Sequence, residues 1–409
     1  MWKYIIEDNK DLIKKLDEIC KILTEEYKNL TDNYNLMGGN TGITLFFYYY
    51  YKLKNDDKYL TIANDIIESC FETFQKANQH FTFSGGLAGL AGFEWLIDHC
   101  NNEDFINCDT KIIFEDVNDI LSQNMMFELN RGNYDYLHGA LGYGLRLLNK
   151  KNCKDSMKQL TQVVIALEKS CIKENNIIKW GTFNNEVLNK DDYNFGLSHG
   201  IPSIIAFLTK VYKLNILPET SLELITKSAN FILENKLDIK TYNSFFPNSV
   251  KINNHSTTKK SSRLGWCYGD LGVCASLLQA SELSHNNNMK TEILNILAYN
   301  TKRKNLDDNF VVDASLCHGT AGIAHIFNRI YQHTKREEFK DTAIYWYNET
   351  LKMAKFDDGL AGYKTWRANK YGGFQNNYSL LEGIAGIGLS LISAVSDIEP
   401  KWDECFLLS

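Results

Sequence analysis

Proline is scarce in this chain, at 4 of 409 residues, where a globular protein has roughly 5%. So few prolines suit long helices and weigh against a loop-rich β protein. There is no excess of positive charge. Against 44 Lys and Arg stand 50 Asp and Glu, a net charge of -6, so the chain lacks the basic footprint of a nucleic-acid binder. No stretch reaches the roughly 18 apolar residues that a membrane-crossing helix needs. The N-terminus, MWKYIIEDNKDL, is charged and has no apolar core of a signal peptide. A CxxC pair is missing too, although there are 10 cysteines. In a chain without an export signal, scattered cysteines read as reduced thiols, some of them free to ligate a metal, and the expected location is cytoplasmic. With 44% hydrophobic and 23% charged residues, the chain has ample material for a core and is not disordered.

A short pattern recurs instead. A glycine, two residues, usually a second glycine and then an apolar run read GNTGITLFF from Gly39, GLAGLAGF from Gly86, GALGYGLRLL from Gly139 and GIPSIIAFL from Gly200. They continue as GDLGVCASLL from Gly269, GTAGIAHIF from Gly319 and GIAGIGLSLI from Gly383. The fourth copy has Ser203 in place of the second glycine. The mean interval is about 57 residues, so seven units fill the chain. Each unit has room for two helices with loops. Segments between the motifs carry helical periodicity: Leu12, Leu16, Ile19, Leu23 and Tyr27 recur at three and four. TKIIFEDVNDILSQ and ETSLELITKSANFIL behave alike. The runs after the glycines are apolar nearly all round, as in helices buried on every side. Seven helical hairpins, each with a buried inner and an amphipathic outer helix, follow. The end copies keep the full motif, which favours closure over an open solenoid. The expected fold is an all-α, α/α toroid forming a single domain over residues 1–409. The interval from Gly200 to Gly269 holds a stretch without helical period, around 240–262, carrying Lys251, Lys259 and Lys260; it reads as an inserted loop or hairpin.

Aligning the copies on their first glycine shows where chemistry gathers. The preceding position holds Gly38, Gly85, His138, His199, Tyr268, His318 and Glu382. The one before that holds Met37, Ser84, Leu137, Ser198, Cys267, Cys317 and Leu381. These residues lead into inner helices, so equivalent positions of neighbouring repeats should lie side by side at one end of the ring. Cys267 and Cys317 are then neighbours, with His318 next to Cys317. Two thiolates and an imidazole are a good zinc set, and three protein ligands leave a fourth position open. His199 opens the fourth repeat, Asp135 stands four residues before Gly139, and Arg263 six before Gly269. Helix N-termini at the same end direct N–H groups and positive dipole ends toward the axis. An acid, an imidazole, a guanidinium and a metal in such a place fit a reaction with an anionic nucleophile or intermediate.

WCYGDLG at Trp266–Gly272, CHGTAG at Cys317–Gly322, GLSHGIP at Gly196–Pro202 and YDYLHG at Tyr134–Gly139 resemble the lanthionine synthetase C-like proteins, the cyclases of class I lanthipeptide biosynthesis. The resemblance implies an α/α toroid with one zinc, held by Cys267, Cys317 and His318. It implies a dehydrated precursor peptide, leader plus core, as substrate. A peptide cysteine thiolate, stabilised by zinc, adds to dehydroalanine or dehydrobutyrine and closes a lanthionine or methyllanthionine ring. His199 matches the acid/base histidine, Asp135 the active-site aspartate and Arg263 the arginine before the first zinc cysteine. His138 stands where some members carry an acidic residue, and shares the proton work or lines the pocket. A dehydratase and an ABC transporter are the implied partners, through which the chain would sit peripherally at a membrane. The competing reading of the same fold is a zinc-dependent binder of glutathione or peptide thiols. Prenyltransferase β-subunits need an Asp/Cys/His set that these motifs do not match. A glycosidase using Asp135 and Glu382 leaves the cysteines unexplained.

Overall fold

The computed structural model describes residues 1–30, 33–76, 89–150, 153–184, 187–253, 256–259 and 261–409. Its helices run α1 (Lys10–Glu26), α2 (Asn40–Lys54), α3 (Asp57–Lys76), α4 (Leu90–Asn102), α5 (Thr110–Ile113), α6 (Glu115–Asn130), α7 (Ala140–Leu148), α8 (Lys154–Ser170) and α9 (Ile201–Lys213). They continue as α10 (Pro218–Glu234), α11 (Asp270–Leu283), α12 (Asn287–Asn300), α13 (Thr320–Thr334), α14 (Glu337–Lys352) and α15 (Ile384–Val395). Two compact units form, interleaved along the chain. One holds residues 1–83, 100–107 and 310–403; the other holds 84–99, 108–309 and 404–409.

Six of the seven expected motifs open a buried helix among the described residues. The apolar runs after Gly39, Gly139, Gly200, Gly269, Gly319 and Gly383 form α2, α7, α9, α11, α13 and α15. All residues of α7 and α15 are buried. The second motif lies outside the described residues as far as Ala88, with Ser84 and Gly85; its apolar run from Leu90 forms α4. Between them come helices with one apolar stripe. In α1 the predicted Leu12, Leu16, Ile19 and Leu23 are buried, joined by Cys20, while Tyr27 caps the helix and is only half-buried. Phe114 divides the TKIIFEDVNDILSQ stretch into α5 and α6.

In the first unit, α15 packs on both α2 and α13, so the last repeat adjoins the first as closure requires. The Leu381 N–H donates to the Met37 carbonyl at 2.9 Å, and the Cys317 N–H to the Leu381 carbonyl at 3.0 Å. Equivalent positions thus stand side by side, as the repeat register predicts. In the second unit α9 packs on α7 and α11. There the Ser198 N–H and hydroxyl reach the Cys267 carbonyl at 3.5 and 3.3 Å, the same step of the register.

The sequence reading did not find the strands between α8 and α9. β1 (Ile172–Glu174) pairs with β2 (Ile177–Lys179), and β3 (Thr182–Asn184) with β4 (Val187–Asn189). β5 (Asp192–Asn194) joins the insertion, which is a hairpin: β6 (Ser249–Asn253) lies antiparallel between β5 and β7 (Ser256–Lys259). Lys260 lies outside the described residues. In the first unit β8 (Thr365–Trp366) pairs with β9 (Phe374–Gln375).

Candidate metal centre and acid–base site

The loops that enter the inner helices share a turn. Six residues before the first glycine stand Asn33, Asn133, Asn194, Asp313 and Asn377. Each side-chain oxygen accepts the N–H two residues on, at 2.7 to 3.4 Å, a turn that Asn and Asp form readily. In four of these loops the same residue's carbonyl accepts the N–H of the first helical residue, from Asn40, Ala140, Thr320 and Ile384. The leading N–H of those helices, expected to face a bound anion, is therefore already used. A methyl group on the glycine would press on that carbonyl, 2.6 Å away for Gly319. The fifth loop departs. Arg263 replaces Asn, and Gly269 adopts a φ of 111°, a conformation that suits glycine alone. Arg263 is half-buried, and among the described residues its side chain makes no hydrogen bond or ion pair. Freed from the turn, it is available to a ligand.

The second unit brings His199 and Asp135 together across 64 residues. The His199 Nδ1–H donates to Asp135 Oδ2 at 2.6 Å, while Asp135 Oδ1 accepts the His138 backbone N–H at 2.8 Å. His138 stacks on His199 with ring centres 5.7 Å apart, and Tyr268 lies at 6.2 Å on a tilted plane. The Tyr268 hydroxyl accepts from the Asn194 amide at 3.0 Å. Burial pulls the His199 pKa down, but the hydrogen bond and charge of Asp135 outweigh it. The Cys267 thiolate acts the same way, so His199 stands above its usual range. Burial pushes Asp135 up; its bond to His199 and the His138 N–H outweigh that and hold it below the carboxylate range. Burial holds the His138 ring down, against the pull of Asp135. A cleft of about 660 Å³ opens over Glu128, Arg131, Asp135, His138, His199 and Tyr268, with β3 in its wall. The sequence placed Tyr268 in register without assigning it a part.

In the first unit Cys317 and His318 directly precede α13, and both are buried. His318 Nε2 lies 3.0 Å from Asp313 Oδ2. Cys267 precedes α11 in the second unit, also buried. Cys267, Cys317 and His318 each carry a donor atom of the kind that ligates a metal ion. No disulfide engages any of the ten cysteines. Glu382 forms an ion pair with Arg367 at 3.0 Å. No helix of the described residues is long and apolar enough to cross a membrane.

The lanthionine synthetase C-like protein family matches residues 31–407. Among solved structures, the chain is similar to nisin cyclase with a TM-score of 0.74 and 17% identity, over 98% of both chains. That likeness shows the fold, an α/α toroid. An α-1,6-mannanase from Salegentibacter sp. HEL1_6 matches with a TM-score of 0.49 at 9% identity, over 93% of this chain and 98% of that one. Cellobiose 2-epimerase from Bacillus thermoamylovorans B4167 matches at 0.46 and 12%, over 94% and 98%.

Proposed function

The chain belongs to the lanthionine synthetase C-like family, and on that premise we propose that it closes thioether rings in a dehydrated peptide, with one zinc ion. The observation that carries the reading is in the second unit. The carbonyl of Cys267, a candidate metal ligand, is bonded by Ser198, and the next residue, His199, is bonded to Asp135. A proton donor and a thiol-activating ligand are thereby tied to one backbone.

The donor set fits zinc. Two thiolates balance its double charge, an imidazole completes three ligands, and a fourth position stays open for substrate. Bound there, zinc would lower the pKa of a peptide cysteine and keep its sulfur as thiolate. The chain's own residues supply the rest. The thiolate adds to the β-carbon of dehydroalanine or dehydrobutyrine, and the displaced electron pair passes to the neighbouring carbonyl as an enolate. Arg263, unengaged by the turn, steadies that negative oxygen. The protonated His199 delivers its Nε2 proton to the α-carbon. Asp135 accepts from Nδ1, orients the ring and favours its charged form before transfer. His138, stacked on His199, lines the approach.

The substrate is a leader-plus-core precursor already dehydrated at Ser and Thr. The partners implied are a dehydratase and an ABC transporter, with any membrane association passing through them. The chemistry leaves the peptide's mass unchanged and removes one free thiol per ring. Incubation with a peptide bearing dehydroalanine and cysteine, followed by alkylation, is therefore expected to show fewer alkylated sites at unchanged parent mass. An undiminished thiol count with zinc-loaded protein would refute the reading.

A further inference from the structure

Asp313 is the exception among the Asx residues that open the repeat loops. Asn33, Asn133, Asn194 and Asn377 serve the same turn with an amide, so the turn does not need a carboxylate. Nor does a histidine at the end of the loop demand one. His138 and His199 occupy that slot behind Asn133 and Asn194. What Asp313 adds is its second oxygen. While Oδ1 accepts the Ser315 N–H at 3.0 Å, as the asparagines do, Oδ2 takes two further donors. These are His318 Nε2 at 3.0 Å and the Trp366 backbone N–H of β8 at 2.9 Å. The carboxylate side chain is fully buried, where an uncompensated charge would be costly.

Resting on the zinc reading above, we infer that Asp313 is the positioning residue of His318: it holds the proton on Nε2 and so commits Nδ1 to the metal. A ring held by a carboxylate loses less freedom on ligation and is a more basic ligand. The β8 strand takes part through Trp366, which fixes the carboxylate from its other side.

Asp313→Asn isolates this role, because asparagine is what the other loops use. The amide oxygen keeps the Ser315 bond. Its NH₂ group then faces two N–H donors and repels them. The variant is expected to fold without metal but to melt several degrees below the wild type, since a buried N–H is left unpaired. Its zinc affinity, measured by competition with a chromophoric chelator, should fall about 10- to 100-fold. Equal affinity in the folded variant overturns the assignment of Asp313 while leaving the zinc site standing. A wild type that takes no zinc overturns both. The second readout needs no variant. Histidine-selective ¹⁵N spectra of the zinc-loaded wild type should show one imidazole ligated through Nδ1 and protonated at Nε2, a signature that a merely structural Asp313 would not dictate. Ligation through Nε2 overturns the inference.

Discussion

A Cys317→Ala chain is expected to fold, to lose its zinc and to leave the thiols of a dehydrated peptide unreacted. The fold tolerates the change because Cys317's part in the repeat ladder is played by its backbone, whose N–H bonds the Leu381 carbonyl. Losing one buried sulfur costs stability on the order of 1 kcal/mol. The metal is affected far more. Removing one thiolate leaves the double charge half balanced, and with only two protein ligands the site falls short of the usual three. Without zinc the peptide thiol keeps a pKa of about 8.5 and is a few per cent ionised at neutral pH. A Lewis acid of this kind contributes several kcal/mol, so ring closure should slow by at least about a hundredfold. Metal analysis and thiol alkylation check both halves. A variant that keeps its full zinc would show that the ligands were misassigned.

His199→Ala should behave in the opposite way toward the metal. Zinc content stays at the wild-type level, while the rate of ring closure falls by about a hundred- to ten-thousand-fold, the usual worth of a placed proton donor. A thiol-binding protein of the same fold would not notice the loss, so an unchanged thiol affinity with no catalysis speaks for that alternative, whereas an unchanged rate of ring closure takes the proton donation away from His199. The pH profile carries a signed consequence. The donor is the protonated ring, and Asp135 holds its pKa above the usual histidine range. Activity limited by this group is therefore retained up to that raised value and lost as pH climbs through it. In Asp135→Asn the lowering effect of burial remains while the carboxylate that offset it is gone. The alkaline limb should move to lower pH. A limb that stays in place would assign it to another group.

Much of this arrangement was legible because the chain repeats. The cysteines stand 50 residues apart, yet register on a glycine brought out their equivalence without any contact information, and it put His199 and Asp135, far apart in sequence, at the same end of the repeat. The Ser198–Cys267 and Leu381–Cys317 hydrogen bonds are that register made physical. Amphipathic helices such as α1 were legible from spacing, since a 17-residue helix repeats its face several times. The strands β1 to β5 were not, because three-residue strands hold too little alternation to distinguish from a loop. Their signal was the asparagine pairs of the sequence, of which Asn175–Asn176 forms the turn between β1 and β2. Asp313 escaped for another reason. Alone it is an ordinary turn residue, and it stands out only when the alignment is carried six positions upstream and four asparagines appear beside it. The same comparison sets Arg263 apart, since it breaks the turn that its equivalents form.

We propose that Cys267, Cys317 and His318 form one zinc site. Metal analysis of the purified wild-type chain, reconstituted with zinc under reducing conditions and freed of excess metal, tests it most directly. The expected result is one zinc per chain. A folded chain that remains metal-free would contradict the mechanism and leave a helical-repeat binding protein in its place.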